Sequence, residues 1–240
     1  MIICKKIEII FILYKYNTIY IYIIMRVMST AISLINLINH GFKYVIETSK
    51  MYNIDESHAL KHSMEVYQFA KKIYKSELIK NPYLDKHKEI IYMAAIGHDM
   101  CDKKYMDETE GIIRYKEHLN PFMKSSDLDV IGKIIGTMSY SKVKKNGYPE
   151  LGEYQLAYHI VREADLLAAY DIERCIIYKM YRDKFQYSEA LEEATELFNN
   201  RVFKMSEDGL FLTNYSQKES LILHKNAKKN IKTLREILDN

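Results

Sequence analysis

The stretch Met93-Ala-Ala-Ile-Gly-His-Asp-Met-Cys-Asp-Lys-Lys-Tyr105 decides how the rest of the chain is interpreted. It begins as an apolar run of the kind that forms a core helix, and then breaks into the adjacent pair His98-Asp99. A carboxylate at the end of a buried run is costly unless a partner compensates its charge. A bound cation would supply that partner, so other groups that could complete a metal shell are sought elsewhere in the chain.

Two further segments carry such groups. His58 and His62 lie in Ser-His-Ala-Leu-Lys-His-Ser-Met, and Asp165 lies in Arg-Glu-Ala-Asp-Leu-Leu. Apolar residues recur at helical spacing in all three segments, so each segment predicts a helix. The spacing of the two histidines places them on one face of their predicted helix.

In their order along the chain, His62, His98-Asp99 and Asp165 resemble the motif of the HD superfamily of metal-dependent phosphohydrolases. The flanking patterns Ser-His-x-x-x-His and His-Asp-x-x-Asp-Lys-Lys are similar to those of its smaller single-domain members. The resemblance covers about residues 54–181. It implies an all-α fold, a single HD-type helical domain with a metal site between core helices.

The resemblance also implies a ligand set of two imidazoles and two carboxylates: His62, His98, Asp99 and Asp165. This mixed shell suits Mn²⁺, Fe²⁺, Co²⁺, Ni²⁺ or Zn²⁺ better than Ca²⁺, with Mg²⁺ as a further candidate. A cation held in this way activates water and draws charge from a phosphoryl oxygen. The expected substrate is a small phosphate compound, with a nucleotide as the first choice.

Polar residues beside the motif are candidates for catalysis. Asp102 follows Asp99 by one helical turn, and some HD hydrolases use an acidic residue at this position to orient or deprotonate water. The alternative is a structural ion pair between Asp102 and a nearby lysine or arginine. His58 is the second catalytic candidate, because it could meet the leaving phosphate or take a second metal.

Candidates for substrate binding are Lys103 and Arg162. Lys103 follows the motif directly, and Arg162 lies three residues before Asp165, where a phosphate clamp and a structural salt bridge are both open. The basic segment 139–145 is predicted to be a loop that either contacts substrate or is merely solvated. The motif lacks the His-Asp-x-Gly-Lys form of many HD proteins, which leaves the substrate undefined.

Composition limits the class of protein. The 240 residues are 48% hydrophobic and 28% charged, as in a globular protein, and only 3 Pro and 8 Gly favour long helices. A net charge of +3 does not favour a nucleic-acid partner. The 3 Cys are scattered, which predicts a reducing compartment and therefore a cytoplasmic location.

Residues 1–28 differ from the rest of the chain. Their Ile- and Tyr-rich run is interrupted by Glu8, Lys15 and Asn17, which does not suit a spanning helix. A mis-assigned start, a peripheral or membrane anchor and a folded extension all remain open, and membrane contact is expected only if the segment is native. Residues 29–240 are predicted to form one HD-type helical domain.

The helical pattern within that domain predicts the following segments as helices: 56–74 (with Asp55 or Ser57 as N-cap), 86–99, 107–121, 128–138, 153–181, 188–205 and 217–238. The last helix is basic and amphipathic, and its apolar side could pack on its own domain or on a second copy in a homo-oligomer.

Three functions are compatible with these residues. The first is a metal-dependent phosphohydrolase that acts on a nucleotide or another small phosphate ester. The second is a non-catalytic HD module that binds a nucleotide or a protein partner. The third, a di-iron oxygenase on a related fold, needs more ligands than the motif supplies and ranks last.

Overall fold

The computed structural model of the chain describes residues 32–238. The chain divides into two compact units, Met1–Asn39 and His40–Asn240. The first unit contributes residues 32–39, which begin helix α1 (residues 32–51). The other helices and the candidate site belong to the second unit. The extension predicted at residues 1–28 lies outside the described residues.

The fold is all-α, as the sequence predicts, and the described residues contain no strand. After α1 the helices are α2 (Leu60–Leu78), α3 (Lys88–Gly97), α4 (Glu108–Leu119), α5 (Ser125–Thr137), α6 (Tyr140–Asn146), α7 (Gln155–Ala168), α8 (Ile172–Arg182), α9 (Tyr187–Asn200) and α10 (Asn214–Leu238). Short 3₁₀ turns lie at Pro82–His87, His98–Cys101, Gly152–Tyr154 and Val202–Lys204. No helix of the described part of the chain is both long and apolar enough to cross a membrane.

The single helix predicted over 153–181 is wrong. Helix α7 ends at Ala168 and α8 begins at Ile172, because the Asp171 carboxylate accepts a hydrogen bond from the Arg174 backbone N–H (3.2 Å) and caps the new helix. An aspartate in this role competes with continued helix formation. The break changes the direction of the chain immediately after the predicted metal ligand Asp165.

The predicted start of α2 is also wrong. The helix begins at Leu60, and its N-cap, Ala59, makes no side-chain cap hydrogen bond. Asp55 instead accepts hydrogen bonds from the Ser57 N–H (3.0 Å) and the Tyr105 hydroxyl (2.7 Å), so its carboxylate is not free to cap. His58 therefore precedes the helix and does not share a helical face with His62.

The segment 139–145, predicted to be a loop, is mostly helix α6. It contains no Gly or Pro before Gly147, and lysine is a good helix former. Gly147 ends the helix with a positive φ of 75°, a conformation that glycine adopts without steric cost. The remaining predicted helices differ from the observed ones mainly at their ends.

Helices α2, α3 and α7 form the centre of the second unit. Helix α2 packs on α3 and α7, α3 also packs on α5 and α7, and α10 lies against α2, α7 and α8. Ala227 and Ile231 on the apolar side of α10 are thus buried against its own domain, whereas Leu238 on the same side is 45% exposed. The three central helices contribute fully buried side chains, including Val66, Ile91, Met93, Ile96 and Val161. His62, His98 and Asp165 lie on or directly after these helices, so the core packing fixes their positions relative to one another.

Candidate metal centre

Two buried imidazoles form the base of the site. His62 on α2 is 1% exposed and His98 at the end of α3 is 7% exposed, and their Nε2 atoms lie 3.2 Å apart. The Nδ1 of His98 lies 2.9 Å from the Ala95 carbonyl oxygen, to which it donates a hydrogen bond. This bond fixes the tautomer that leaves the Nε2 lone pair free, as metal-binding histidines commonly require.

Two carboxylates reach the same nitrogens. Asp99 Oδ2 lies 3.2 Å from Nε2 of His62, and Asp99 Oδ1 lies 3.4 Å from Nε2 of His98. Asp165 Oδ1 lies 3.5 Å and 3.6 Å from these two nitrogens. The structure therefore brings together all four residues that the motif predicts as metal ligands.

The spacing of the donor atoms suits a divalent ion. Ligands bound tetrahedrally at about 2.1 Å are about 3.4 Å from one another, and the four histidine–aspartate distances are 3.2, 3.4, 3.5 and 3.6 Å. His62, His98 and Asp99 each offer one ligand atom within 4.8 Å of the other two. His62, His98 and Asp99 thus fit a metal ion in donor type and separation. Asp165 lies outside that group of three and adds a carboxylate oxygen within 3.6 Å of both imidazoles.

The protonation of the cluster is consistent with a site for positive charge. Burial alone would lower the pKa of His98, but Asp99 and Asp165 outweigh burial and raise this pKa well above its ordinary value. Burial alone would raise the pKa of Asp99, but His98 and His62 lower it well below the usual range. A cation would take the place of the proton shared among these groups, since metal binding releases protons from its ligands.

Gly97 determines how the His98-Asp99 pair is presented. A Cβ atom at position 97 would lie 2.3 Å from the ring of Tyr115, whose hydroxyl donates a hydrogen bond to the Met93 carbonyl (2.7 Å). The tyrosine is 1% exposed, so it has no room to withdraw. The ring packs directly on the backbone at the end of α3, where the chain tightens into the 3₁₀ turn.

A cavity of about 470 Å³ lies beside the cluster. This volume is in the range of small-molecule sites. Its lining combines charged residues with an apolar side and includes His58, His98, Asp99, Asp102, Lys103, Lys104, Ile135, Met138, Tyr140, Lys142, Asp165, Leu166, Arg174, Tyr178 and Arg201. The N-terminal part of α6 lies along this cavity, although Lys142 is already engaged by Glu108 and by the Gly136 carbonyl.

His58 lines the cavity and is held by a polar network. Its Nδ1 lies 2.6 Å from the Ser57 hydroxyl and 3.3 Å from the Tyr105 hydroxyl. Both hydroxyls also hydrogen bond to Asp55. Burial would raise the pKa of Asp55, but hydrogen bonds from His58, Ser57 and Tyr105 lower it. The imidazole is thus oriented toward the cavity without belonging to the helix that carries His62.

Asp102 and Lys103 follow the 3₁₀ turn and also line the cavity. The Asp102 carboxylate accepts a hydrogen bond from the Lys104 backbone N–H (2.8 Å) and lies 3.7 Å from the Lys104 ammonium. Asp102 therefore has the structural partner that the sequence left open, while it remains beside the cluster. Lys103 is exposed at the cavity wall.

Arg162 does not reach the cluster. Its guanidinium lies 3.3 Å from Glu163 Oε1 and donates to the Leu210 carbonyl (2.6 Å), and it stacks on Tyr148. A residue three positions before Asp165 is about 60° away around the helix, and Arg162 is only 2% exposed there. Of the two alternatives for Arg162, the structure places it in the salt bridge.

Sequence reasoning missed Arg174 and Arg201, which both line the cavity. On a continuous helix Arg174, nine residues after Asp165, would lie about 180° away on the opposite face. The break at Asp171 brings it back, and its Nη1 lies 3.0 Å and 2.9 Å from the two ring nitrogens of His62. A correct prediction of that cap would have found Arg174, whereas no spacing signal points to Arg201.

Comparison with known proteins shows the fold alone. No family model matches the sequence, and no curated protein matches it significantly. The chain is similar in fold to a crystal structure of a structural genomics target from Lactobacillus plantarum, with a TM-score of 0.61 and 17% sequence identity. The match covers 86% of this chain and 97% of the other.

Proposed function

We propose that this protein is a metal-dependent phosphohydrolase of the HD type that acts on a nucleotide or another small phosphate ester. The observation that carries the proposal is the convergence of His62, His98, Asp99 and Asp165 beside a cavity large enough for such a substrate. A divalent cation held by these residues supplies charge neutralisation at the phosphoryl oxygens and acidifies water.

The protein's own residues have complementary roles in this proposal. Asp102 orients the attacking water and accepts its proton, since its carboxylate lies at the cavity wall one turn beyond Asp99. His58, held by Ser57 and Tyr105, donates a proton to the departing oxygen. Lys103 contributes positive charge at the cavity wall.

The test is metal analysis of the purified protein combined with a screen of nucleotides and phosphomonoesters. We expect the wild type to retain a divalent metal and to hydrolyse at least one compound. His62→Ala should lose both properties while its helical circular dichroism is unchanged. Asp129→Asn, which alters an exposed carboxylate on α5, is the matched control and should keep both.

A second variant separates catalysis from metal retention. Asp102→Asn keeps the oxygen that accepts the Lys104 N–H, so the turn is preserved. It should keep the metal and lose turnover by about 10²-fold or more. Full hydrolysis by His62→Ala would refute the metal assignment, and metal retention without any turnover would favour the non-catalytic binding module.

A further inference from the structure

Two arginines line the cavity of the metal centre without an ion-pair partner. Arg174 and Arg201 both border the cavity that contains Asp99 and Asp165. Within residues 32–238 neither guanidinium lies within ion-pair distance of a carboxylate, in contrast to the arginines at positions 114, 162 and 235. Arginines that are partly buried normally have such a partner, because desolvation of an unpaired charge is costly.

Arg201 is the clearer case of a guanidinium that lacks an acceptor. Its Nε is buried and has no hydrogen-bond partner, and its guanidinium carbon lies 4.1 Å from the centre of the Tyr140 ring. The ring supports one face of the guanidinium and supplies no acceptor oxygen. Burial is the main cause that lowers the pKa of Arg201, and Asp165 opposes it.

Arg174 occupies the side of the cavity nearest His62. Its Nη1 donates a hydrogen bond to the Ser57 carbonyl (3.3 Å) and lies against the imidazole of His62. The Nε of Arg174 is also buried without a partner. Two guanidinium groups in one cavity repel each other, so an anion that contacts both would relieve an unfavourable arrangement.

The charge count defines the anion. Asp99 and Asp165 together carry two negative charges, which a divalent cation would neutralise. The two arginines would then leave two positive charges beside the metal, in addition to that of the exposed Lys103. A phosphate monoester dianion matches that charge, and its three terminal oxygens offer enough acceptors for two planar guanidinium groups. A phosphate diester carries one charge and has only two such oxygens.

We propose that Arg174 and Arg201 form an anion-binding site that holds the terminal phosphate group of a phosphate monoester beside the metal centre. This inference rests on the proposed function and narrows it from phosphate esters in general to monoesters. The arginines take the substrate-binding role that was one of the two alternatives for Arg162, whose Nη2 instead donates to Glu163 and to the Leu210 carbonyl.

The experiment measures binding of inorganic phosphate by calorimetry at about pH 8, where phosphate is mainly the dianion. Each protein is titrated once loaded with Mn²⁺ and once in EDTA. We expect Arg201→Gln and Arg174→Gln each to weaken phosphate binding by about 10- to 100-fold at unchanged Mn²⁺ stoichiometry, the usual weight of charged hydrogen bonds. Arg201→Lys, which keeps the charge, should lose less.

Arg182→Gln is the matched control, because Arg182 lies on α8 with Arg174 but is exposed and does not line the cavity. It should bind phosphate as the wild type does. Diphenyl phosphate, a diester, should bind the wild type weakly and equally in all variants. Circular dichroism confirms that each variant is folded before its titration is interpreted.

The outcomes separate this inference from the proposed function. Wild-type phosphate affinity in folded Arg201→Gln and Arg174→Gln would overturn the anion site, even if the protein retains metal and hydrolyses phosphate esters. Equal losses in Arg182→Gln would overturn it as well. If the wild type binds no Mn²⁺, the proposed function fails, and the titrations in EDTA still decide whether the arginines bind phosphate.

Discussion

Helix α7 carries two acidic residues with opposite surroundings. Glu163 is fully buried, and its carboxylate accepts hydrogen bonds from the N–H groups of Leu212 (2.9 Å) and Thr213 (3.1 Å), from the Thr213 hydroxyl (2.7 Å) and from Arg162. Among residues 32–238, the polar partners of the Asp165 carboxylate are two imidazoles, at 3.5 Å and 3.6 Å, and its side chain is 27% exposed.

The difference separates a structural charge cluster from one suited to a ligand. Around Glu163 the chain itself supplies the donors to the carboxylate and a counter-charge from Arg162, and the loop before α10 is fixed to α7 as a result. Around Asp165 the acids outnumber the protein cations that touch them, and a cavity adjoins them. Burial alone does not distinguish the two carboxylates, but the number of hydrogen bonds that each accepts from the protein does.

The largest expected effect on stability comes from disrupting the charge cluster around Glu163. Glu163→Gln removes the negative charge and leaves the Arg162 guanidinium buried without a counter-charge. We expect the free energy of unfolding to fall by about 3–5 kcal/mol, as when one partner of a buried ion pair is lost. Urea denaturation measures this, with the exposed Glu173→Gln as control. A loss below about 1 kcal/mol would show that the cluster is not structural.

A smaller effect on stability is expected at the cluster that contains Asp165, and it depends on bound metal. Mn²⁺ at about 100 times its dissociation constant should raise the free energy of unfolding of the wild type by about 2.7 kcal/mol. Asp165→Asn removes one ligand, so the same Mn²⁺ concentration should stabilise it far less. Paired urea titrations with and without Mn²⁺ measure the difference. Equal stabilisation of both proteins would remove Asp165 from the ligand set.

The smallest effect on stability should come from replacing the planar guanidinium of Arg162, beside Glu163, by an ammonium group. Arg162→Lys keeps the positive charge, but one ammonium group cannot reproduce the planar contacts to Glu163, the Leu210 carbonyl and Tyr148. We expect a loss of about 1–2 kcal/mol in stability. Phosphate affinity should not change, and a clear fall would place Arg162 in substrate binding after all.

The sequence predicted the parts of the site that local pattern determines. The helical fold class follows from apolar spacing and the scarcity of Gly and Pro, and His98-Asp99 stands out because two polar residues end an apolar run. The convergence with His62 and Asp165 came from a resemblance in order and spacing. Each of these features can be seen within one short segment or in the order of the segments along the chain.

What the sequence did not predict depends on breaks and on distant contacts. A single side-chain cap at Asp171 divides residues 153–181 into two helices. In one continuous helix Arg174 would lie on the face opposite Asp165, whereas the break brings it to the cavity. Arg162 was expected near the cluster because helical position alone does not show that Glu163 and the Leu210 carbonyl engage it. Arg201 directly follows α9, which packs on α8, and no sequence spacing relates it to the motif.

The contact between Gly97 and Tyr115 has an evolutionary consequence. A side chain at position 97 and a large ring at position 115 exclude each other, since the added Cβ atom would lie 2.3 Å from that ring. Descendants of this chain that preserve the turn can therefore change position 97 only together with position 115. Homologues in which positions 97 and 115 have changed together would show that this close packing behind the His-Asp pair has restricted both positions.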